Sequence, residues 1–450
     1  MKKNLIETAL NFIFPQACGF CGEITNSYLC EYCNEYLKQR QMNKIQKYDD
    51  KFFDEHLWIY EYKDEVREKI IDYKFNNKSY LYRTFLQIIL STESVCNYIK
   101  KFDIRRYKDG LVLMLPDENG NIKEEIKSVS LYDAYMEFNK LNNTFGISTI
   151  GDLNRNILQG KTNDIIQVAE AIHDRKLVEL VQDIEKRKNI KMVLIAGPSS
   201  SGKTTFAQKL GVQLKLTGYN PITISMDNYF KERKDTPLGE DGKYNFETVD
   251  ALDIELFNSQ MKDLIDGKTV ELPEFDFVVG TKKYNGKFLK LEKNDVMIIE
   301  GIHALNPILT KFTPDENKYK VYIAPITTLN IDGYTKISSS DSRFLRRMVR
   351  DYTTRGHSVD RTFELWGNVK KGEEKYIFPF VDDADFIYNS SLNYEPSVMK
   401  TFAQPLLLQV DSSSEFYSEA RRLYAYLNNF TPLETGNIPI NSIIREFIGN

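Results

Sequence analysis

What the chain lacks narrows it first. No apolar run approaches the ~20 residues a helix needs to cross a bilayer, so no membrane association is expected. There is no surplus of positive charge. Lys and Arg number 60 against 64 Asp and Glu, a net charge of −4, which gives no sign of a general nucleic-acid binder and leaves only local basic patches open. Internal repeats and low-complexity linkers are absent. Histidine is scarce, and His303 and His357 stand alone in sequence, so neither is taken as a catalytic base. The opening Met1-Lys2-Lys3-Asn4 with Leu5 to Phe14 imitates a short signal peptide, and Ala17-Cys18 imitates a lipoprotein cleavage site. Glu7 and Asn11 interrupt that apolar stretch, and Pro15-Gln16 is a poor approach to a cleavage site, so the chain reads as cytoplasmic.

Cysteine is also sparse, but four of the five form a pattern. Cys18-x-x-Cys21 and Cys30-x-x-Cys33 are two knuckles, with Gly19 and Gly22 supplying tight turns. Thiolates at that spacing can converge on one Zn²⁺. A disulfide pair or unrelated thiols are the alternatives; a cytosolic setting argues against the first and the regular spacing against the second. Four cysteines leave no open coordination position, so the zinc is expected to be structural. Cys96 is read as packing.

A chain of 450 residues suggests two to four domains. Residues 1–40 hold the knuckles and a short leading helix. Residues 41–95 are rich in Lys, Tyr and Phe and carry no chemical motif. Residues 96–189 read as a mixed α+β region, with a strand at Leu111–Leu115, a turn over Asp117–Asn121 and a helix over 164–187 whose Ile165, Val168, Ile172, Leu180 and Ile184 recur at helical spacing. From 190 to 450, strands alternate with helices: 192–196, 222–225, 296–299, 319–323 and 386–388 read as strands. That alternation predicts an α/β fold with a parallel sheet flanked by helices and a ligand site at the strands' carboxyl ends.

Residues 197–204, Gly-Pro-Ser-Ser-Ser-Gly-Lys-Thr, fit G-x-x-x-x-G-K-[ST] between an apolar strand and a helix. Gly197 and Gly202 let the backbone wrap so that the N–H groups of this loop (Ser199, Ser200, Ser201, Gly202, then Thr204 and Thr205) face phosphate oxygens; Lys203 reaches the β/γ-phosphates and the Thr204 hydroxyl can ligate Mg²⁺. The reading is a nucleoside-triphosphate site. Two acids stand at strand ends beside it, Asp227 and Glu300. Phosphoryl transfer needs a metal ligand beside the phosphates and a carboxylate to orient or deprotonate the attacking hydroxyl; helix capping is the alternative role for such acids. Arg343, Arg346, Arg347 and Arg350 fall at i, i+3, i+4 and i+7 on one helical face, followed by Arg355-Gly356. Guanidinium forks suit phosphate oxygens, so the stretch reads as a lid helix, with a solvated charged face as the alternative.

These motifs resemble the uridine kinase/phosphoribulokinase branch of P-loop kinases, and most closely the bacterial uridine kinase-like proteins. The matching residues are 197–205, Ser225–Phe230, Tyr244–Glu247 with Asp250, Pro273–Phe277, Ile299–His303, the arginine helix and the closing Asn441–Gly449. The resemblance implies transfer of the ATP γ-phosphate to the 5′-hydroxyl of a pyrimidine nucleoside. It makes Asp227 the catalytic base, puts Thr204 and Glu300 on Mg²⁺, Asp250 at the ribose hydroxyls and Phe275 against the base. Arg347 and Arg350 then belong to the nucleoside and phosphate side, and Arg355 to the ATP side. Uridine-cytidine kinases carry Tyr in place of Phe275, a base-reading His where this chain has Gly280, and a second lid arginine where it has His357; base recognition is therefore where the chain departs from the pattern.

The N-terminus resembles a different family. Phe14-Pro15, the knuckles, Tyr60-Glu61-Tyr62 and Ile70–Phe75 are similar to the head of ComF-type proteins. The phosphoribosyltransferase domain that follows there is not found, since no paired acids lead into a Thr-rich diphosphate loop; nor is a TGS-type front. The expectation is a zinc-bearing ribbon fused to an ATP- and Mg²⁺-dependent nucleoside kinase with a small-molecule partner and with self-association left open. A related kinase acting on a sugar phosphate or pantothenate, or a nucleotide-responsive regulatory protein with a zinc docking head, are the rival readings.

Overall fold

The computed structural model describes residues 17–25, 27–40, 44–47, 55–58, 64–75, 84–85, 103–108, 110–114 and 121–122, and from 129 onward all but 188, 240–241, 243, 277–278, 333–334 and 450. The expected leading helix, Phe14-Pro15, Tyr60–Tyr62 and Cys96 lie outside the described residues. The chain divides into two compact units, Met1–Ile126 and Lys127–Asn450.

In the first unit, helix α1 (Glu31–Lys38) follows the second knuckle, with Cys30 as its N-cap. Strands β1 (Lys44–Lys47) and β2 (Glu55–Trp58) pair antiparallel, helix α2 spans Asp64–Phe75, and β3 (Asp103–Tyr107) pairs antiparallel with β4 (Gly110–Met114). The strand expected at 111–115 is therefore one arm of a hairpin.

The second unit opens with helices α3 (Val129–Thr144), α4 (Ile150–Leu158) and α5 (Thr162–Lys186). Thr149 and Asp152 form a capping box that starts α4. On α5, Ile165, Leu180 and Ile184 of the expected stripe are buried. Then come β5 (Met192–Ala196), α6 (Lys203–Leu216), β6 (Asn220–Ser225), α7 (Ile254–Ile265), β7 (Val270–Asp276), β8 (Thr281–Leu289), β9 (Asp295–Glu300), β10 (Lys318–Ala324), α8 (Ser339–Arg355), α9 (Val359–Tyr376), β11 (Phe386–Asn389), α10 (Glu395–Leu407), α11 (Tyr417–Asn428) and the short α12 (Arg445–Ile448).

Five of these strands form one parallel sheet in the order β11-β10-β5-β9-β6. β5 and β9 are buried along their whole length, which is why they read as unbroken apolar runs rather than alternating ones. The two faces are covered by separate cores. Leu194, Ile299, Phe257 and Phe275 lie in one; Ile195, Phe206, Leu210 and Phe447 lie in the other. β7 and β8 stand apart as an antiparallel pair. Helices α8 to α11 build a third core around Phe344, Trp366, Val398 and Leu423. Among the described residues no helix is long and apolar enough to cross a membrane.

Candidate active site

The sheet register brings the chemistry together. Ile195 of β5 lies opposite Glu300 of β9, and Glu300 lies opposite Ser225 of β6. Three neighbouring strands thus end at one level, handing over to the glycine-rich loop, to Glu300 itself and to the turn Met226–Tyr229 that carries Asp227. Carboxyl ends of parallel strands are where such sheets bind ligands.

The loop cannot tolerate side chains at its two glycines. A Cβ on Gly197 would stand 2.0 Å from the Ile323 carbonyl oxygen of β10, and one on Gly202 (φ +89°) 2.5 Å from Ile443 Cγ2. Ser200 adopts φ +61°. The hydroxyls of Ser200 and Ser201 are buried with no partner among the described residues. Lys203 folds back across the loop and donates to the carbonyls of Gly197 (3.0 Å) and Pro198 (3.1 Å). Burial lowers its pKa, against the pull of Glu300, Glu446 and Asp227. Thr204 is exposed at the start of α6.

Burial raises the pKa of Asp227, opposed by the charges of Lys203, Arg355 and Arg350. Glu300 is 8% exposed and accepts the Ser225 hydroxyl at 2.8 Å. Its pKa is pushed up to about 7, first by burial and then by the Asp227 charge. The Glu300 carboxylate and the Thr204 hydroxyl offer oxygen donors of the kind a hard divalent cation such as Mg²⁺ takes.

The arginine helix differs from the expected lid and from its solvated alternative. Arg343 pairs bidentately with Glu373 of α9 and donates to the Ser199 carbonyl. Arg346, fully buried, pairs with Glu395 at the start of α10 and donates to the carbonyls of Ser200 (3.3 Å) and Ser390 (2.8 Å). Those two arginines clamp α8 onto the glycine-rich loop. Arg347 reaches Ser199 Oγ at 3.0 Å. Arg347, Arg350 and Arg355 surround Asp351 at 3.2, 2.7 and 3.5 Å. Burial pushes the Asp351 carboxyl up, but the three guanidinium groups outweigh it and hold it below the usual carboxylate range. Sequence reading missed this hub, although its i−4 and i+4 spacing to Arg347 and Arg355 was a signal.

On the other side of Asp227, the neighbouring Asn228 accepts the Phe275 N–H at 3.2 Å, which ties the acid's turn to β7. Phe275 is 6% exposed, its ring 5.9 Å from that of Phe230. Asp250 is exposed on the turn Val249–Ala251, its N–H held by the Thr248 hydroxyl. At Gly280 (φ +81°) a Cβ would meet the Arg233 side chain at 2.8 Å, and the Gly280 carbonyl accepts the Arg233 N–H at 2.9 Å.

A separate cluster lies in the first unit. The sulfurs of Cys18, Cys21, Cys30 and Cys33 all fall within 4.8 Å of one another, and all four thiols are free. Cys21 and Cys30 Sγ are 3.7 Å apart, close to the roughly 3.8 Å edge of a tetrahedron with Zn–S of 2.3 Å. Burial pushes the Cys18 thiol up, but backbone N–H groups of Cys21, Cys30 and Phe20 bring it down to about 7. The donor set fits a structural zinc.

Residues 192–393 match the family model described as Phosphoribulokinase / Uridine kinase family. A uridine kinase of Ligilactobacillus salivarius is 30% identical over 203 residues, 45% of this chain and 86% of that protein. One of Macrococcus caseolyticus is 32% identical over 216 residues, 47% of this chain and 95% of that protein. A solved Bacillus stearothermophilus structure, described as a possible uridine kinase, aligns at 20% identity with a TM-score of 0.30 over 45% of this chain and 89% of its own, too distant to inform the site.

Proposed function

Because the chain belongs to the phosphoribulokinase/uridine kinase family, we propose that it moves the γ-phosphate of ATP onto the 5′-hydroxyl of a pyrimidine nucleoside. The observation that carries this reading is the shared level of the glycine-rich loop, Glu300 and Asp227 at three adjacent strand ends. Gly197, Ser199, Ser200, Ser201, Gly202, Lys203, Thr204 and Thr205 cradle the ATP phosphates, with Arg355 on the same side. Asp227 takes the acceptor's hydroxyl proton as its oxygen attacks the γ-phosphorus, and the bond to the β–γ bridging oxygen breaks to release ADP. A carboxyl raised by burial is better matched to that proton transfer than a solvated one. Thr204 and Glu300 hold Mg²⁺, which neutralises phosphate charge. Asp250, Phe275, Arg347 and Arg350 line the acceptor side. Cys18, Cys21, Cys30 and Cys33 hold a structural Zn²⁺.

One observation favours a second reading. The Arg233 side chain packs over Gly280, beside the wall built by β7, and a guanidinium there suits an anionic acceptor such as a sugar phosphate or pantothenate. An acceptor screen with ATP and Mg²⁺ separates the two. ADP formation is expected to rise with uridine or cytidine. If those leave it at background while a phosphorylated sugar or pantothenate raises it, the nucleoside reading is wrong. Asp227→Asn is expected to lower kcat by about 10²–10⁴ with little change in acceptor KM, the range of one positioned acid–base group; full turnover would remove Asp227 from catalysis.

A further inference from the structure

The segment before the C-terminus lies on the glycine-rich loop. Ile443, fully buried, fills the space that Gly202 leaves by having no side chain. Phe447, 1% exposed, packs in the same core as Phe206 and under the Arg346 guanidinium. Between these two anchors stands Glu446, whose Oε2 accepts the backbone N–H of Thr205 at 3.1 Å. Thr205 lies in the first turn of α6, where unpaired backbone N–H groups and the helix dipole favour an anion. The charge of Glu446 also acts on Lys203 and Glu300, favouring the protonated form of each.

We propose that Glu446 is a built-in competitor for the nucleotide, a carboxylate that occupies a phosphate position at the start of α6 and must turn away before ATP or ADP can seat fully. This rests on the reading of residues 197–205 as the ATP site. The anchored backbone on either side makes the device a side-chain switch rather than a moving strap. Room for the displaced carboxylate lies alongside. A cavity of about 480 Å³ is lined by Glu446 itself with Thr205, Gln208, Lys209, Asp174 and Arg445. Lys209 Nζ, 2.8 Å from Asp174, offers a cation on that wall. Apparent nucleotide affinity is then the intrinsic affinity reduced by the fraction of molecules whose Thr205 N–H is free. Removing the charge raises that fraction.

The test is calorimetric titration of Mg·ADP into the full chain, wild type against Glu446→Gln and Glu446→Ala. Glu446→Gln keeps the shape and an acceptor oxygen, so it guards against a merely misfolded variant. Both variants are expected to bind ADP about tenfold more tightly, the scale of one charge-assisted hydrogen bond, with KM for ATP falling in parallel. An unchanged or weaker Kd in both variants, against a wild type that binds, overturns the proposal alone and leaves Glu446 as a helix cap. No ADP binding by any of the three proteins overturns the ATP-site reading and the switch with it.

Discussion

His303 sits three residues past Glu300, 2% exposed, with neither ring nitrogen partnered among the described residues. Burial drives its pKa down to about 4. The unfolded chain takes up this proton near pH 6.5, the folded one only near 4, so between those values the unfolded state binds one proton more and stability falls as the pH falls. The full window is worth roughly 3 kcal/mol. Asp227 and Glu300 act in the opposite sense, because a carboxyl raised by burial keeps its proton longer when folded. The expected observation is therefore a difference: His303→Phe has a flatter acid limb than wild type in urea unfolding between pH 6.5 and 4. Parallel limbs would mean that the ring is protonated when folded. At this scale, Lys203, Asp227 and Glu300 were legible because each stands at or just past the end of a segment that reads as a strand. Glu373, Asp351 and Glu446 were not. Each acts through partners on other elements or one turn away, and nothing local distinguishes a carboxylate that meets a helix-start amide 241 residues off from one that faces solvent.

The arginine spacing on α8 predicted a helix face aimed at phosphate, and half of that face does something else. Arg346 has no solvent exposure and Glu395 has 2%, and the pair joins α8, α10 and the Ser200 carbonyl in one buried network. Breaking such a pair from one side strands a charge in the interior, which costs about 3–5 kcal/mol, whereas replacing both partners with apolar groups costs far less. Arg346→Met is expected to lower the unfolding free energy of the second unit, read from urea titration, by that amount, and Arg346→Met with Glu395→Leu to recover most of it. A loss below ~1 kcal/mol in the single variant would show that the pair is not structural. The helix itself was readable from that spacing; in the structure Ser338 caps it by accepting the Asp341 N–H, and Gly356 closes it at φ +65°. All five parallel strands were readable as short strands alternating with helices. Their order was not, since β10 lies between β5 and β11 only by virtue of crossovers that the local pattern does not encode. The antiparallel β7–β8 arm also went unread, because Pro273 and Gly286 interrupt the strand signal.

At the scale of the molecule, the loop, Asp227, Glu300 and α8 all lie within the second unit, Lys127–Asn450, which has extended cores of its own. The first unit is built differently. Among the described residues of that unit, Leu29 and Leu37 are buried beside the thiols, with Phe20, Tyr36, Val66 and Phe85 packed around them. Gly19 closes on Thr84, whose hydroxyl donates to the Tyr28 carbonyl. Small domains commonly add a metal or a covalent link to their apolar burial. With the thiols free and within 4.8 Å of one another, the donor set fits zinc, whose binding energy would become folding energy for these residues. The purified full chain is expected to carry about one zinc, and Cys30→Ser to lose it. Cys30 is the most telling position, because its sulfur also accepts the Cys33 N–H and caps α1. Chelation should speed amide hydrogen exchange over residues 17–38 while exchange over 192–216 stays at its original rate, since that stretch is held by the sheet and by Arg346. Zinc-free protein from a zinc-supplemented preparation, or unchanged exchange over 17–38 after chelation, would show that the four cysteines fold without metal.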